Sequence, residues 1–178
     1  MMRYMVFLRG INVSGQKLIK MDDLTKIFTG SGYKNVETFI QSGNVVFDAR
    51  ESDRDALVLK VSSMLNNSLG YHVDVMPRTY DEINQLVMAD PFGSIEQGRD
   101  VKKYVTFVNE PMKVSFKLPF MSPAGDVEVF KIEGQTIFSL ALPAKEGRYG
   151  FPNIFIEKLL KVPATTRNWN TVCKMVSG

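Results

Sequence analysis

Val36-Glu37-Thr38-Phe39-Ile40-Gln41-Ser42-Gly43-Asn44-Val45-Val46-Phe47-Asp48 is the stretch on which the fold of the first half turns. Residues 36–40 and 45–48 are short runs rich in β-branched and aromatic side chains, and Gln41-Ser42-Gly43-Asn44 between them has the composition of a tight hairpin turn. Upstream, residues 4–8 form a continuous apolar run that reads as a central strand, followed by a loop with Gly and Asn at 10–17. A helix then starts near Lys20, with Met21, Leu24, Ile27 and Phe28 on one face and Gly30-Ser31-Gly32 as its stop. Downstream, Ser52 and Asp55 have capping-box spacing, Leu57, Val61, Met64 and Leu65 recur at helical spacing until Gly70, and a strand at 73–76 precedes Pro77. The order strand, helix, strand, strand, helix, strand is the ferredoxin-like arrangement.

The same order is expected to return. Thr79 and Glu82 have the spacing of a capping pair at the start of a connecting helix, in which Ile83, Leu86 and Val87 make the buried stripe. The polar residues 93–100 are the best internal boundary. Beyond them we expect a strand at 101–108, a weak helix around 112–118, strands at 127–132 and 136–142 about a Glu133-Gly134 turn, a helix at 152–160 and a strand near 162–166. The predicted fold class is α+β: two ferredoxin-like (βαββαβ) subdomains with approximate pseudo-two-fold symmetry. The divisions are 1–77, a connecting helix and loop at 78–100, and 101–178. The repeat is one of pattern, without residue-level similarity.

Composition sets limits on function. At 178 residues and 20.1 kDa, with 44% apolar and 23% charged residues, the chain has the make-up of a soluble globular protein. No apolar run reaches the length of a membrane span, and residues 1–10 are too short for the apolar core of a signal peptide, so a cytoplasmic location and no membrane partner are expected. Cys173 is the only cysteine and His72 the only histidine, which excludes an intramolecular disulfide and a His/Cys zinc centre; no cofactor is implied. A net charge of +3 permits an anionic ligand without demanding a nucleic-acid duplex.

Three polar constellations stand out. Arg9-Gly10-Ile11-Asn12 ends the first strand, and in a ferredoxin-like sheet that end meets the hairpin Gln41-Ser42-Gly43-Asn44, gathering a guanidinium, three amides and glycine-rich backbone at one edge. In the structural alternative, Arg9 pairs with an acid and the asparagines cap local backbone. In the second half, Arg148 and Arg167 are expected to approach one another, with a carboxylate such as Glu146 or a ligand anion between them. In the C-terminal helix Trp169, Val172, Cys173 and Val176 share an apolar face, while Arg167, Asn170, Thr171 and Lys174 lie opposite. Asn and Thr are weak helix formers, so that polar face calls for a reason beyond helix stability. Residues 10–17 nearly match a phosphate-binding G-x-x-x-x-G-K-[ST] loop. Lys17, however, comes one residue late and Leu18 stands in place of the magnesium-binding hydroxyl.

Leu8-Arg9-Gly10-Ile11-Asn12-Val13, Ile40-Gln41-Ser42-Gly43-Asn44-Val45-Val46-Phe47 and Thr165-Thr166-Arg167-Asn168-Trp169-Asn170-Thr171-Val172 together resemble a largely bacterial family, domain of unknown function 1697. The resemblance implies a pair of ferredoxin-like subdomains and no established activity. Arg9, Asn12, Gln41, Ser42, Asn44, Arg148, Arg167, Asn168 and Asn170 match its recurring polar positions and are the candidate ligand-binding residues. Members usually carry Gly where Ser14 stands and a basic residue near Gly150, and the second departure counts against a phosphate role for that loop. The leading expectation is a binding protein for a small anionic ligand, with Arg9, Arg148 and Arg167 on the charge and the amides setting orientation. The alternatives are phosphoryl or acyl-phosphate hydrolysis, with Asn44 or Asn12 orienting water, and a protein–protein or RNA interaction module. RNA binding is disfavoured because residues 44–48 and 136–140 lack the aromatic run of RNA-recognition sheets.

Overall fold

A computed structural model describes all residues, 1–178. It is an α+β protein with two antiparallel sheets and five α-helices, dividing into two compact units, Met1–Asn84 and Gln85–Gly178.

Unit 1 contains β1 (Met2–Leu8), α1 (Met21–Gly30), β2 (Lys34–Phe39), β3 (Asn44–Ala49), α2 (Arg54–Leu69) and β4 (Val75–Thr79). The strands lie in the order β2-β3-β1-β4. β1 is central and pairs antiparallel with β3, Phe7 opposite Asn44, and with β4, Leu8 opposite Val75. Its apolar run is buried from Tyr4 to Leu8 because the strand is covered along its length. Leu24 and Phe28 of α1 and Leu57, Val61 and Leu65 of α2 pack on Val6, Leu8, Val45 and Phe47. Each such side chain removed from water contributes roughly 1.5–3 kcal/mol. The helix ends follow local chemistry. Gly70 adopts φ 79° and closes α2 on Asn66, a conformation that glycine takes without a Cβ clash. At the other end Asp53 caps α2 by accepting from the Ala56 N–H, displacing the Ser52/Asp55 pair expected there. β4 runs through Pro77, which an edge strand tolerates because one side of its ladder is unpaired.

The helix spanning the division, α3 (Tyr80–Met88), opens with the expected reciprocal capping box: the Thr79 N–H donates to Glu82 Oε2 at 2.6 Å and the Glu82 N–H to Thr79 Oγ1 at 3.1 Å.

Unit 2 contains β5 (Lys102–Phe107), β6 (Phe120–Met121), β7 (Val127–Glu133), β8 (Thr136–Ala141), α4 (Pro152–Leu160), β9 (Thr165–Asn168) and α5 (Trp169–Ser177). Its sheet order is β6-β7-β8-β5-β9. Residues 112–118 form no helix. Pro111 and Pro119 bracket the segment, the residue before a proline is pushed out of the α region, and Met112 and Leu118 are drawn separately onto the core of Val108, Val129 and Ile137. The other face of the sheet carries an aromatic cluster in which Phe92 meets Phe138 at 5.9 Å and Trp169 at 5.1 Å between ring centroids. Trp169 is 6% exposed. The buried stripe of α5 is Trp169, Val172 and Met175, whereas Cys173 and Val176 are half-buried and Lys174 is exposed. Met175, three residues beyond Val172, takes the buried place expected for Val176.

Candidate functional site

At one end of sheet 1 the loop after β1 and the β2–β3 hairpin are locked together by two asparagines. Asn12, at φ 55°, donates through Nδ2 to the carbonyls of Ile19 (3.0 Å) and Gln41 (2.8 Å) and accepts through Oδ1 from the Ile19 N–H (2.8 Å). Asn44 is fully buried and donates to the carbonyl of Phe39 and to Ser42 Oγ, both at 2.9 Å, closing the hairpin from within. Gly43 stands at φ 79°, where a Cβ would come within 3.0 Å of Leu8 Cβ. Asn12, Ser42 and Asn44 therefore meet as the sequence order requires, and the amides of Asn12 and Asn44 are turned onto the protein's own backbone. Gln41 is exposed at the tip.

Arg9 lies beside this clamp. Its guanidinium is 3.3 Å from Asp74 Oδ2, and His72 Nε2 holds the other carboxylate oxygen at 2.9 Å. The pairing of β1 with β4 creates this contact: the Arg9 N–H donates to the Asp74 carbonyl at 3.0 Å, immediately beyond Leu8 and Val75. Lys17 reaches the His72 carbonyl at 3.3 Å and lies over the Tyr71 ring. The residues 10–17 hence fold back on β4's approach rather than forming a phosphate cradle.

In unit 2 Arg167 is in β9, opposite Val105, and does not belong to the helix face on which it was expected. It is 6% exposed and donates to Thr165 Oγ1 at 2.6 Å and to the Thr166 carbonyl at 3.0 Å. Burial pushes its pKa down to about 10, which leaves it charged at neutral pH. Arg148 is exposed beyond the 3-10 turn Lys145–Gly147. A guanidinium buried on its own strand and one facing solvent do not make the facing pair expected from topology. Asn168 also has a local duty, because its side chain caps α5 by accepting from the Asn170 N–H at 2.9 Å. The cap accounts for a weak helix former at this point.

Sequence reasoning missed two lysines. Val101, Lys102, Lys103, Asn168 and Asn170 line a hollow of about 260 Å³ at the end of sheet 2 where α5 begins. Strand pairing creates it, since Lys102 lies opposite Ala141 and Tyr104 opposite Asn168. Neither lysine is ion-paired. Lys102 Nζ sits 4.3 Å from the centre of the Tyr149 ring and Lys103 Nζ 5.9 Å from that of Phe92, so aromatic faces hold both ammonium groups without neutralising them. The nearby Asp100 accepts from the Tyr149 hydroxyl, and this hydrogen bond raises the phenol pKa. The lining itself contains no carboxylate. Two adjacent lysines opening a strand carry no distinguishing local signal.

Sequence reasoning also missed Arg78 in β4, which is 4% exposed and donates to the Pro77 carbonyl at 2.8 Å. Its pKa is pushed down to about 10, chiefly by desolvation and further by the Arg54 charge. No group of three or more His, Cys, Asp or Glu side chains is placed to hold a metal ion, and no helix is long and apolar enough to cross a membrane.

The fold and these sites define an α+β protein with two antiparallel sheets, each ending in a polar loop cluster. The chain belongs to the family described as protein of unknown function (DUF1697), which it matches over residues 1–138. Among solved structures it is similar to the conserved bacterial protein SP0830 from Streptococcus pneumoniae, with a TM-score of 0.68, 21% identity, and coverage of 99% of this chain and 97% of that one. Among curated proteins there is no match.

Proposed function

We propose that the protein binds a small ligand bearing a phosphate or carboxylate group, and that the group sits in the hollow of Lys102, Lys103, Asn168 and Asn170. The observation that carries this reading is the lining of that hollow: two lysines without a carboxylate partner together with Asn168, the N-cap of α5, and Asn170. Unneutralised ammonium groups and the positive end of a helix dipole favour an anion, and the Asn170 side chain supplies orientation. The volume suits one charged group rather than a whole nucleotide.

Of the remaining candidates, Arg148 and Gln41 are exposed, Arg9, Asn12, Ser42 and Asn44 hold the loop and hairpin of unit 1 together, and Arg167 is buried in β9. The hydrolase alternative loses support because the amides of Asn12 and Asn44, which would orient water, are committed to main-chain carbonyls. We also read both units as ferredoxin-like, since β2-β3-β1-β4 and β7-β8-β5-β9 have the same strand order, and we place the protein in the cytoplasm.

Calorimetric titration with inorganic phosphate, pyrophosphate and a panel of nucleotides and carboxylates tests the reading. Lys102→Ala and Lys103→Ala should each weaken binding by about ten- to a hundred-fold, the worth of one charge-assisted hydrogen bond of roughly 1.5–3 kcal/mol. Affinity unchanged in both variants would refute the site.

A further inference from the structure

Unit 1 covers its sheet with two helices, α1 packed on β2 and α2 on β4. Unit 2 has the same strand order in β7-β8-β5-β9, but α4 alone packs on that sheet face, against β5, β8 and β9. In place of a counterpart to α1 the chain runs irregularly through 108–119 into the two-residue β6. The side of α4 that a second helix would cover is apolar. Phe151, Ile154, Phe155 and Lys158 follow the spacing i, i+3, i+4, i+7, with Phe151 57% and Ile154 64% exposed. The surface continues off the helix: Phe155 stacks on Phe120 with centroids 6.2 Å apart, and Phe120 meets Phe116 at 4.7 Å.

Lysines predominate around this surface; the acids at its edge are Glu110, at the start of the irregular segment, and Glu133, which pairs with Lys131 at 2.8 Å. Lys113, Lys117, Lys158 and Lys161 are exposed and unpaired, no acid occurs between Pro111 and Met121, and the one acid of α4, Glu157, accepts from the Ala164 N–H. Residues 1–84 carry ten bases and ten acids and residues 85–178 twelve and nine, so the whole net charge of +3 resides in unit 2. Single-stranded nucleic acid would need free aromatic faces. Here Phe155 and Phe120 already cover one another, and the most exposed side chain is the aliphatic Ile154.

We infer that this face docks an amphipathic helix of a partner protein, apolar along one side and flanked by Glu or Asp. Its apolar side would lie on Ile154, Phe151 and the Phe155–Phe120 stack, and its acids would meet Lys113, Lys117 and Lys158, as in helix-in-groove recognition. This inference stands independently of the anion site.

The probe is a synthetic 18-residue helix with Leu at i, i+3, i+4, i+7 and Glu at the flanking positions, together with its Lys-flanked twin, titrated into the full chain and followed by backbone amide NMR. The Glu peptide should bind at least tenfold more tightly than the twin and shift the amides of 113–121 and of α4. Ile154→Asp, a surface change that should leave the melting temperature near wild type, should weaken binding at least tenfold. Lys117→Glu with Lys158→Glu should reverse the preference between peptides, whereas Lys102→Ala should leave it unchanged. Equal affinity for the two peptides, or none at millimolar concentration, overturns the inference. So does binding instead to vesicles containing 30% anionic phospholipid or to oligouridine, or a self-associated chain that Ile154→Asp disperses.

Discussion

Replacing Asn12 with alanine separates a structural clamp from a ligand-binding residue. The side chain makes three hydrogen bonds, to the Ile19 carbonyl at 3.0 Å, to the Gln41 carbonyl at 2.8 Å and from the Ile19 N–H at 2.8 Å. Each contributes about 1 kcal/mol net, and because Asn12 is half-buried, water recovers part of the loss, leaving about 1–2 kcal/mol for the set. Asn12 also stands at φ 55°, where alanine costs about 1–2 kcal/mol that asparagine largely avoids. Asn12→Ala should therefore lose about 2–4 kcal/mol, lowering the urea midpoint by roughly 1–2 M at an m-value of about 2 kcal/mol/M. Asn12→Gly removes the same bonds without the left-handed penalty, so it should be the milder variant by about 1 kcal/mol. Circular dichroism through a urea series measures both. An Asn12→Ala protein within 0.5 kcal/mol of wild type, or a glycine variant no milder than alanine, would refute the clamp and return Asn12 to the ligand-binding candidates.

Trp169→Ala should cost about 3–5 kcal/mol by opening the cluster with Phe92 and Phe138, read as a fall in melting temperature; no fall would mean that the ring is not core. Gly150→Ala should destabilise by about 1–3 kcal/mol, because a Cβ there would run into the carbonyl of Asp126, and an unchanged urea midpoint would show that this loop gives way freely. Acid should weaken the fold through Asp48 and Glu82, whose pKa values both lie below the ordinary 3.8 and 4.5. The hydrogen bond from Asn35, aided by Arg3, lowers the first; desolvation opposes the shift of the second but is outweighed by the Thr79 N–H and Arg54. A carboxylate with a depressed folded pKa stabilises above its unfolded pKa and loses that contribution as pH falls through the folded one. Melting temperature should accordingly drop below about pH 4.5, less steeply in Asp48→Asn/Glu82→Gln, and identical slopes would exclude these two groups as the cause.

What could be read from the sequence follows the range of the forces involved. The β2–β3 hairpin, the Gly70 stop and the Thr79/Glu82 capping box are short-range features, fixed by turn chemistry and by hydrogen bonds spanning at most a few residues, so their residue types announce them. The same logic failed at 112–118, where apolar spacing suggested a helix but Pro111 and Pro119 and the separate anchoring of Met112 and Leu118 gave an irregular segment. Among the polar residues named from the sequence, identity was legible and the partners were not. Arg9 meets Asp74 across 65 positions because β1 lies against β4, and Arg167 is buried because β9 pairs with β5. Lys102 and Lys103 became candidates only when that same pairing brought Asn168 beside them with no carboxylate in the lining. By itself the sequence determined most of the elements, the family and the polar residues of its motifs, since composition, periodicity and motif are properties of neighbours along the chain. Tertiary structure alone decided which of those groups neutralise each other and which stay unpaired, because charge pairing depends on strand register and burial, and both are set between segments far apart in sequence.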